Sequence, residues 1–361
     1  LAGKSGGKTN RNYCILATEF KLGLGFKGGG SLINSIGILH KQNHRYADRM
    51  ITERHLDLVR QRFKAVKIVL VETETDLIRE ALDAEVLITW GMFKPPLQFC
   101  REAGGLKWIH ALSAGVDALL VPEVIHLNIP ITCTKGIHGL PVSDHVLAFI
   151  LAFTRGFPRF FAQKHEKKWA RYPFVDEVTR KTVAIIGLGS IGREIARRCK
   201  ALEMRVVALC RKDERFSEAE GVDFLYSPGQ LPEMLAIADF VVLALPLTEK
   251  TRHFMDREKL GSMKKTAVLI NIGRGGLVDE EELISALKEG RLAGAGLDVF
   301  SEEPLPMDNP LWGMENVIIT PHTAALSPYY IDRAMEVFCQ NLARFQAGEP
   351  LLYLVDAEKG Y

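Results

Sequence analysis

The sequence predicts an α/β architecture of two doubly wound parallel-sheet domains. Three observations carry that expectation. Short apolar runs rich in Val, Ile and Leu alternate with amphipathic segments from Thr52 onward. A glycine-punctuated turn, Gly187-Leu188-Gly189-Ser190-Ile191-Gly192, joins one such run to a helical segment. The chain has 361 residues, enough for about two domains, each with its own core.

Hydrophobic residues make up 47% and charged residues 25% of the chain, which is ordinary for a globular protein. A net charge of +2 gives no reason to expect nucleic acid or a membrane surface as a partner. The six cysteines (14, 100, 133, 199, 210 and 339) include no CxxC pair, so neither a metal site nor a disulfide framework is indicated. Reduced thiols and a cytoplasmic location are expected. The longest apolar stretch, Val146–Phe153, is far too short to span a membrane.

Residues 1–49 read as an extension of uncertain structure. Lys4, Lys8, Arg11, Lys21, Lys27, Lys41 and Arg45 face a single acid, Glu19, before Asp48. That balance is similar to an organelle presequence, but it lacks amphipathic periodicity. Gly3–Thr9 has the look of a phosphate-binding loop and fails on spacing, because Ala2 stands five residues before Gly7. No convincing strand precedes Thr52; Asn12–Thr18 is the substitute.

From Thr52 the elements follow in order. Thr52 caps a helix through Arg62, with Leu56, Val59 and Phe63 on one face. Lys67–Val71 reads as a strand, Thr75–Leu82 as a helix and Val86–Thr89 as a strand. Leu106–Ile109 is a strand running into the glycine loop Ser113–Asp117, and Ile131–Thr132 is another. Asp144–Phe153 is an apolar helix capped by Ser143. Phe157–Tyr172 is either a helix packed on its own domain or a dimer arm, given Phe160, Phe161 and Trp169.

Val183–Ile186, the helix carrying Ile191, Ile195, Cys199 and Leu202, and Val206–Cys210 then form a strand–helix–strand unit. Its glycines have separate tasks: a tight turn, close approach of backbone to a pyrophosphate, and close packing of helix on strand. The unit is therefore a Rossmann-like dinucleotide site. Further strands are Phe240–Leu245, Ala267–Asn271, Ala295–Val299 and Val317–Thr320. Helices lie at Pro232–Ala236, Arg257–Met263, Glu280–Glu289 (capped by Asp279, stopped by Gly290) and Pro328–Gln346.

Ligands of open α/β sheets bind beyond the carboxyl ends of the strands. Those ends bring Arg274, Asp298, Glu303 and His322 to the edge that binds the dinucleotide. The set suits hydride transfer between a nicotinamide and a 2-oxo or 2-hydroxy acid. His322 handles the proton, Glu303 orients it and favours its protonated form, and Arg274 grips the substrate carboxylate or carbonyl. Backbone N–H groups around Ala114 and Gly115 are expected to hold the carboxylate. Asp298 either fixes the nicotinamide amide or makes a structural hydrogen bond.

Cofactor contacts are expected from Gly187, Gly189, Ser190, Ile191 and Gly192, and from Cys210, Arg211 and Lys212. Pro246, Thr251, Ile272, Arg274, Asp298 and His322 complete the set. An NAD-preferring site normally ends its second strand in an acidic residue. Here Cys210 occupies that place and Arg211-Lys212 follows, so NADP is expected in preference to NAD. The alternative is a basic surface turn, with Asp213 serving the ribose.

The stretches HALSAGVDALL, KGIHGLPVSDHVLA, GLGSIGREIA, ALPLTEKTR, INIGRGGLVDE, AGAGLDVFSEEPLP, NPLW and ITPHTA occur in this order between residues 50 and 345. Through them the chain resembles the D-isomer-specific 2-hydroxyacid dehydrogenases, particularly the glyoxylate/hydroxypyruvate reductase branch. The resemblance implies an Arg–Glu–His catalytic set at Arg274, Glu303 and His322, and a homodimer. It also implies a dinucleotide domain, 143–322, inserted in a substrate domain made of 50–142 and 323–361. Phosphoglycerate, D-lactate and phosphite dehydrogenases are rivals within the superfamily. A chain end soon after the last helix counts against phosphoglycerate forms with a regulatory domain. A dinucleotide-sensing corepressor-like protein is the rival of a different class, and retention of Arg274, Glu303 and His322 argues against it.

Overall fold

A computed structural model describes residues 32–40, 50–116, 118–172, 175–210 and 221–356. The stretches Gly3–Thr9 and Asn12–Thr18, and the residues Arg211, Lys212 and Asp213, lie outside the described residues. The chain divides into two compact units, Leu1–Lys135 with Ile331–Tyr361, and Gly136–Tyr330.

The first unit holds β1 (Ser35–Leu39), α1 (Glu53–Arg62), β2 (Lys67–Val71), α2 (Glu74–Ala81), β3 (Val86–Thr89), α3 (Leu97–Glu102), β4 (Trp108–Ala111), α4 (Pro122–Ile125) and β5 (Ile131–Cys133). Its five strands are parallel in the order β2-β1-β3-β4-β5. β1 corrects the expectation that no strand precedes Thr52 apart from Asn12–Thr18. It lies between β2 and β3, and all five of its residues are buried. Ser35 and Gly37 interrupt its apolar run and hid it. The glycine is there for packing: a Cβ at Gly37 would meet Leu77 Cδ1 at 3.0 Å and Ala84 Cβ at 3.3 Å.

Beneath this sheet a buried polar chain has one consistent direction. Trp108 Nε1–H, a donor only, bonds Thr132 Oγ1 at 2.9 Å, and that oxygen lies 2.7 Å from His110 Nδ1. On the other side His110 Nε2 meets Thr134 Oγ1 at 3.3 Å, which donates to the Ala111 carbonyl at 3.0 Å. Indole at one end and carbonyl at the other fix His110 as the Nε2–H tautomer. Complete burial pushes its pKa down to about 3.

The second unit contains α5 (Gly139–Thr154), α6 (Phe157–His165), β6 (Thr182–Ile186), α7 (Ser190–Ala201), β7 (Arg205–Leu209), β8 (Phe224–Tyr226), α8 (Leu231–Ile237), β9 (Phe240–Leu243), α9 (Arg257–Gly261), β10 (Val268–Asn271), α10 (Glu280–Lys288), β11 (Gly294–Leu297) and β12 (Val317–Ile319). Its seven strands run in the order β12-β11-β10-β9-β6-β7-β8, all parallel. Alternate residues of each strand serve opposite faces. Ala184 and Ile186 pack with Leu235, Leu260 and Leu283, whereas Val183 and Ile185 pack with Val146, Phe149 and Ile195.

α5 begins at Gly139, earlier than expected, so Ser143 is not its cap. The Ser143 hydroxyl donates to the Leu140 carbonyl at 2.9 Å inside the helix. β8 has no counterpart in the sequence reading; three residues at a sheet edge leave too short a pattern. After β12 the chain re-enters the first unit as α11 (Tyr330–Ala347). There Phe338 and Phe345 stack on Trp108 with centroids at 5.2 and 5.8 Å, and Arg62 pairs with Glu336 at 2.7 Å.

Candidate active site

The turn between β6 and α7 is built from the shortage of side chains. Gly187 has φ 107°, and a Cβ there would lie 2.6 Å from the Ala244 carbonyl oxygen. A Cβ at Gly192 would sit 2.1 Å from the Gly187 oxygen, so helix and strand meet only because it is absent. Gly189 is different: nothing lies within 4 Å of its Cβ position, and the backbone faces open space. Ser190, Ile191 and Gly192 open α7, where N–H groups have no intrahelical partner. This open, unpaired helix start fits a dinucleotide pyrophosphate. Cys210 follows β7, half-buried, its N–H bonded to the Tyr226 carbonyl at 2.9 Å.

The ends of β9 to β12 supply the rest of the edge. After β9, Thr251 Oγ1 donates to the Pro246 carbonyl at 2.7 Å and closes that loop. After β10 comes Ile272, buried, then Gly273 and Arg274. The Asn271 side chain braces this segment, accepting from Gly273 N–H at 3.1 Å and donating to the Arg274 carbonyl at 3.0 Å. Arg274 Nη1 donates to the Gly273 carbonyl at 2.8 Å, and among the described residues the rest of the guanidinium fork is left available. A Cβ at Gly275 would stand 1.9 Å from the Phe300 carbonyl, so the strand ends are pressed together here.

On the Phe300 side, Glu303 Oε1 accepts the Phe300 N–H at 3.0 Å, and Oε2 lies 2.7 Å from His322 Nδ1. Both side chains keep contact with solvent, at 47% for His322 and 35% for Glu303. Arg252, Arg274, Gly275, Phe300, Glu303 and His322 line one cleft of about 320 Å³. An imidazole held by a carboxylate, with a guanidinium in the same cleft, is equipped to move a proton beside a bound carboxylate.

Residues 147–324 match the family described as D-isomer specific 2-hydroxyacid dehydrogenase, NAD binding domain. A glyoxylate reductase of Korarchaeum cryptofilum is 35% identical over 317 residues, covering 84% of this chain and 90% of that protein. The chain belongs to the D-isomer specific 2-hydroxyacid dehydrogenase family. A D-3-phosphoglycerate dehydrogenase of Methanocaldococcus jannaschii is 34% identical over 77% of this chain, but the match covers only 52% of that protein. Among solved structures, a D-isomer specific 2-hydroxyacid dehydrogenase from Xanthobacter autotrophicus in complex with NADPH and MES has TM-score 0.74 and 29% identity. It aligns over 91% of this chain and 100% of its own. The chain is thus an NAD(P)-dependent oxidoreductase of 2-hydroxy acids.

In this dehydrogenase Arg274, Glu303 and His322 share the cleft, as their positions at successive strand ends required. Asp298 lies deeper. It is 1% exposed and accepts from Thr320 Oγ1 at 2.6 Å, Thr323 N–H at 2.8 Å and Ala324 N–H at 2.9 Å. Three protein donors thus occupy most of a carboxylate's capacity. Ala114 and Gly115 belong to the first unit, in the loop after β4. Ser113 organises that loop, its hydroxyl donating to the Gly115 carbonyl at 2.7 Å and accepting Gly91 N–H at 3.0 Å. Sequence reasoning missed Asn271 and Thr320, which brace the site from beneath. Asn271 adjoins Ile272 and Thr320 stands two residues before His322, each within a quoted stretch, and that nearness was the available signal.

Proposed function

We propose that the protein reduces a small 2-oxo acid, glyoxylate or hydroxypyruvate, with NADPH as the preferred reductant. The observation that carries this reading is the 2.7 Å His322–Glu303 contact in one cleft with Arg274, on the sheet edge bearing the Gly187–Gly192 turn. Residues Gly187 to Gly192 would hold the pyrophosphate of a dinucleotide, whose nicotinamide would supply the hydride for C2 of the substrate. Glu303 fixes Nδ1 of His322, which leaves Nε2 to give the proton to the substrate oxygen. Arg274 holds the substrate carboxylate.

A structural neighbour from Sinorhizobium meliloti, an NADPH-dependent glyoxylate/hydroxypyruvate reductase 26% identical to this chain, supports both the substrate and the cofactor chosen here. The non-acidic Cys210 supports the cofactor independently. Steady-state assays with glyoxylate, hydroxypyruvate and pyruvate, each with NADPH and NADH, test the reading. Tight cofactor binding without turnover of any of them would replace it with a sensing role.

We also propose a cytoplasmic homodimer. Five described cysteines are free thiols, which suits a reducing compartment. Among the described residues no single helix is long and apolar enough to cross a membrane. Phe157 and Phe161 are 47% and 57% exposed and Trp169 wholly so, a set of aromatics suited to a subunit contact. Sedimentation equilibrium decides the oligomeric state, a monomer at micromolar concentration being the adverse result.

A further inference from the structure

The loop carrying His322 is held from both flanks by one buried carboxylate. Asp298 Oδ1 accepts the Thr320 hydroxyl and Thr323 N–H, Oδ2 accepts Ala324 N–H, and the Asp298 carbonyl accepts the N–H of His322 itself at 2.8 Å. His322 has φ 52°, a left-handed conformation that a residue with a Cβ keeps only when its surroundings over-determine it. The carboxylate has no proton to give, so Thr320 must donate to it. The lone pair of Thr320 Oγ1 then faces Nε2 of His145, 2.9 Å away, and His145 must carry its proton there.

His145 projects from α5 and is itself constrained. Its ring meets Phe149 edge-on, with centroids 4.7 Å apart and planes at 86°. At 3.7 Å its Nε2 is too far from Asp298 Oδ1 for a hydrogen bond, so the path runs through the threonine. Burial lowers the His145 pKa, against the opposing pull of Asp298, which keeps the ring neutral and its direction of donation single.

We propose that Thr320 and His145 are positioning residues for His322: His145 orients the Thr320 hydroxyl, the hydroxyl orients the Asp298 carboxylate, and the carboxylate fixes the backbone on which His322 meets Glu303. The proposal rests on the reading of His322 as the proton donor. A merely structural role for these bonds predicts lower stability with turnover intact.

The test measures kcat, KM for glyoxylate and Tm in wild type, Thr320→Ser, Thr320→Val, His145→Gln, His145→Leu and, as a benchmark, His322→Ala. Thr320→Val and His145→Leu are expected to lower kcat about tenfold or more, since misplacing a reacting group by about 1 Å costs up to about a hundredfold. Thr320→Ser keeps the hydroxyl and His145→Gln keeps a donor at the Nε2 position, so both should recover most of kcat. Equal impairment of Ser and Val at 320, or a fall in Tm with kcat unchanged, overturns the proposal. Should Thr320→Val fail to fold, the same contrast between Gln and Leu at 145 decides. A crippled His322→Ala beside an unimpaired Thr320→Val and His145→Leu removes the positioning role alone. Near-normal turnover in His322→Ala removes the acid–base reading and this proposal with it.

Discussion

Nδ1 of His322 and Oε2 of Glu303 lie 2.7 Å apart, and the other oxygen of Glu303 is pinned at 3.0 Å to the Phe300 N–H. The carboxylate therefore cannot turn away from the imidazole without giving up a backbone bond. His322→Ala is expected to lower kcat for 2-oxo acid reduction by about two to four orders of magnitude, the usual worth of a positioned acid–base group. Glu303→Gln should cost less, because an amide oxygen can still accept from Nδ1–H while its charge is gone. Cofactor affinity, measured by fluorescence titration, should stay close to wild type in both. Normal turnover in His322→Ala would remove the assignment.

Arg274 spends one N–H on its neighbour's carbonyl, and Asn271 holds the backbone on either side. The geometry offers a flat fork, which an ammonium does not reproduce. Arg274→Lys should therefore raise KM for the 2-oxo acid and lower kcat together. If the variant loses only cofactor affinity, Arg274 serves the dinucleotide and not the substrate.

Two glycines at the same sheet edge should respond to alanine in opposite ways. At Gly275 the added methyl would stand 1.9 Å from the Phe300 carbonyl, so backbone must move, at about 1–3 kcal/mol for an overpacked site. At Gly189 the methyl meets nothing within 4 Å. Gly189→Ala should lose at most about 1 kcal/mol, from replacing glycine at a helix N-cap. Its dinucleotide affinity should fall, because the methyl enters the space offered to the pyrophosphate. Urea unfolding with cofactor titration separates these outcomes, and an unstable Gly189→Ala with intact affinity would contradict the pattern.

His110 makes the first unit acid-sensitive. Its folded pKa is about 3 against an ordinary 6.5, so between those values the unfolded chain binds the proton that the folded chain refuses. Stability from this group is fully present above pH 6.5 and is lost as pH falls toward 3. The full span is on the order of 5 kcal/mol, taking 1.36 kcal/mol per unit. Relative to wild type, His110→Gln should be destabilised at neutral pH and lose less on acidification. Parallel pH profiles for the two proteins would refute this.

Much of the fold was legible because parallel strands buried on both faces are apolar throughout, and Val183–Ile186 and Ala267–Asn271 announce themselves. Arg274, Glu303 and His322 were legible because each follows a strand whose carboxyl end had to face the ligand. β1 was not legible. Gly37 answers to Leu77 and Ala84, residues some forty positions away, and no local pattern records that contact. The bracing of His322 by Asp298, Thr320 and His145 is hidden for the same reason, since three separate elements supply it. Even Asp298, whose importance the motif indicated, left open whether it serves ligand or loop.

Cofactor choice turns on the end of β7. A dehydrogenase that prefers NADH normally has an acidic side chain there, which accepts from the adenosine ribose hydroxyls and repels a 2′-phosphate. This chain has Cys210, half-buried and neutral in its thiol form, followed in sequence by Arg211 and Lys212. With the carboxylate gone the repulsion is gone, and a guanidinium supplies paired charge-assisted bonds to a phosphate. The wild type should therefore show a higher kcat/KM with NADPH than with NADH. Arg211→Ala should erode that ratio by lowering NADPH efficiency, leaving NADH almost untouched. Cys210→Asp should act through both cofactors, repelling the phosphate of one and binding the ribose of the other. A wild type favouring NADH, or an Arg211→Ala ratio equal to that of the wild type, would show that the basic pair is a surface turn and that selectivity lies elsewhere.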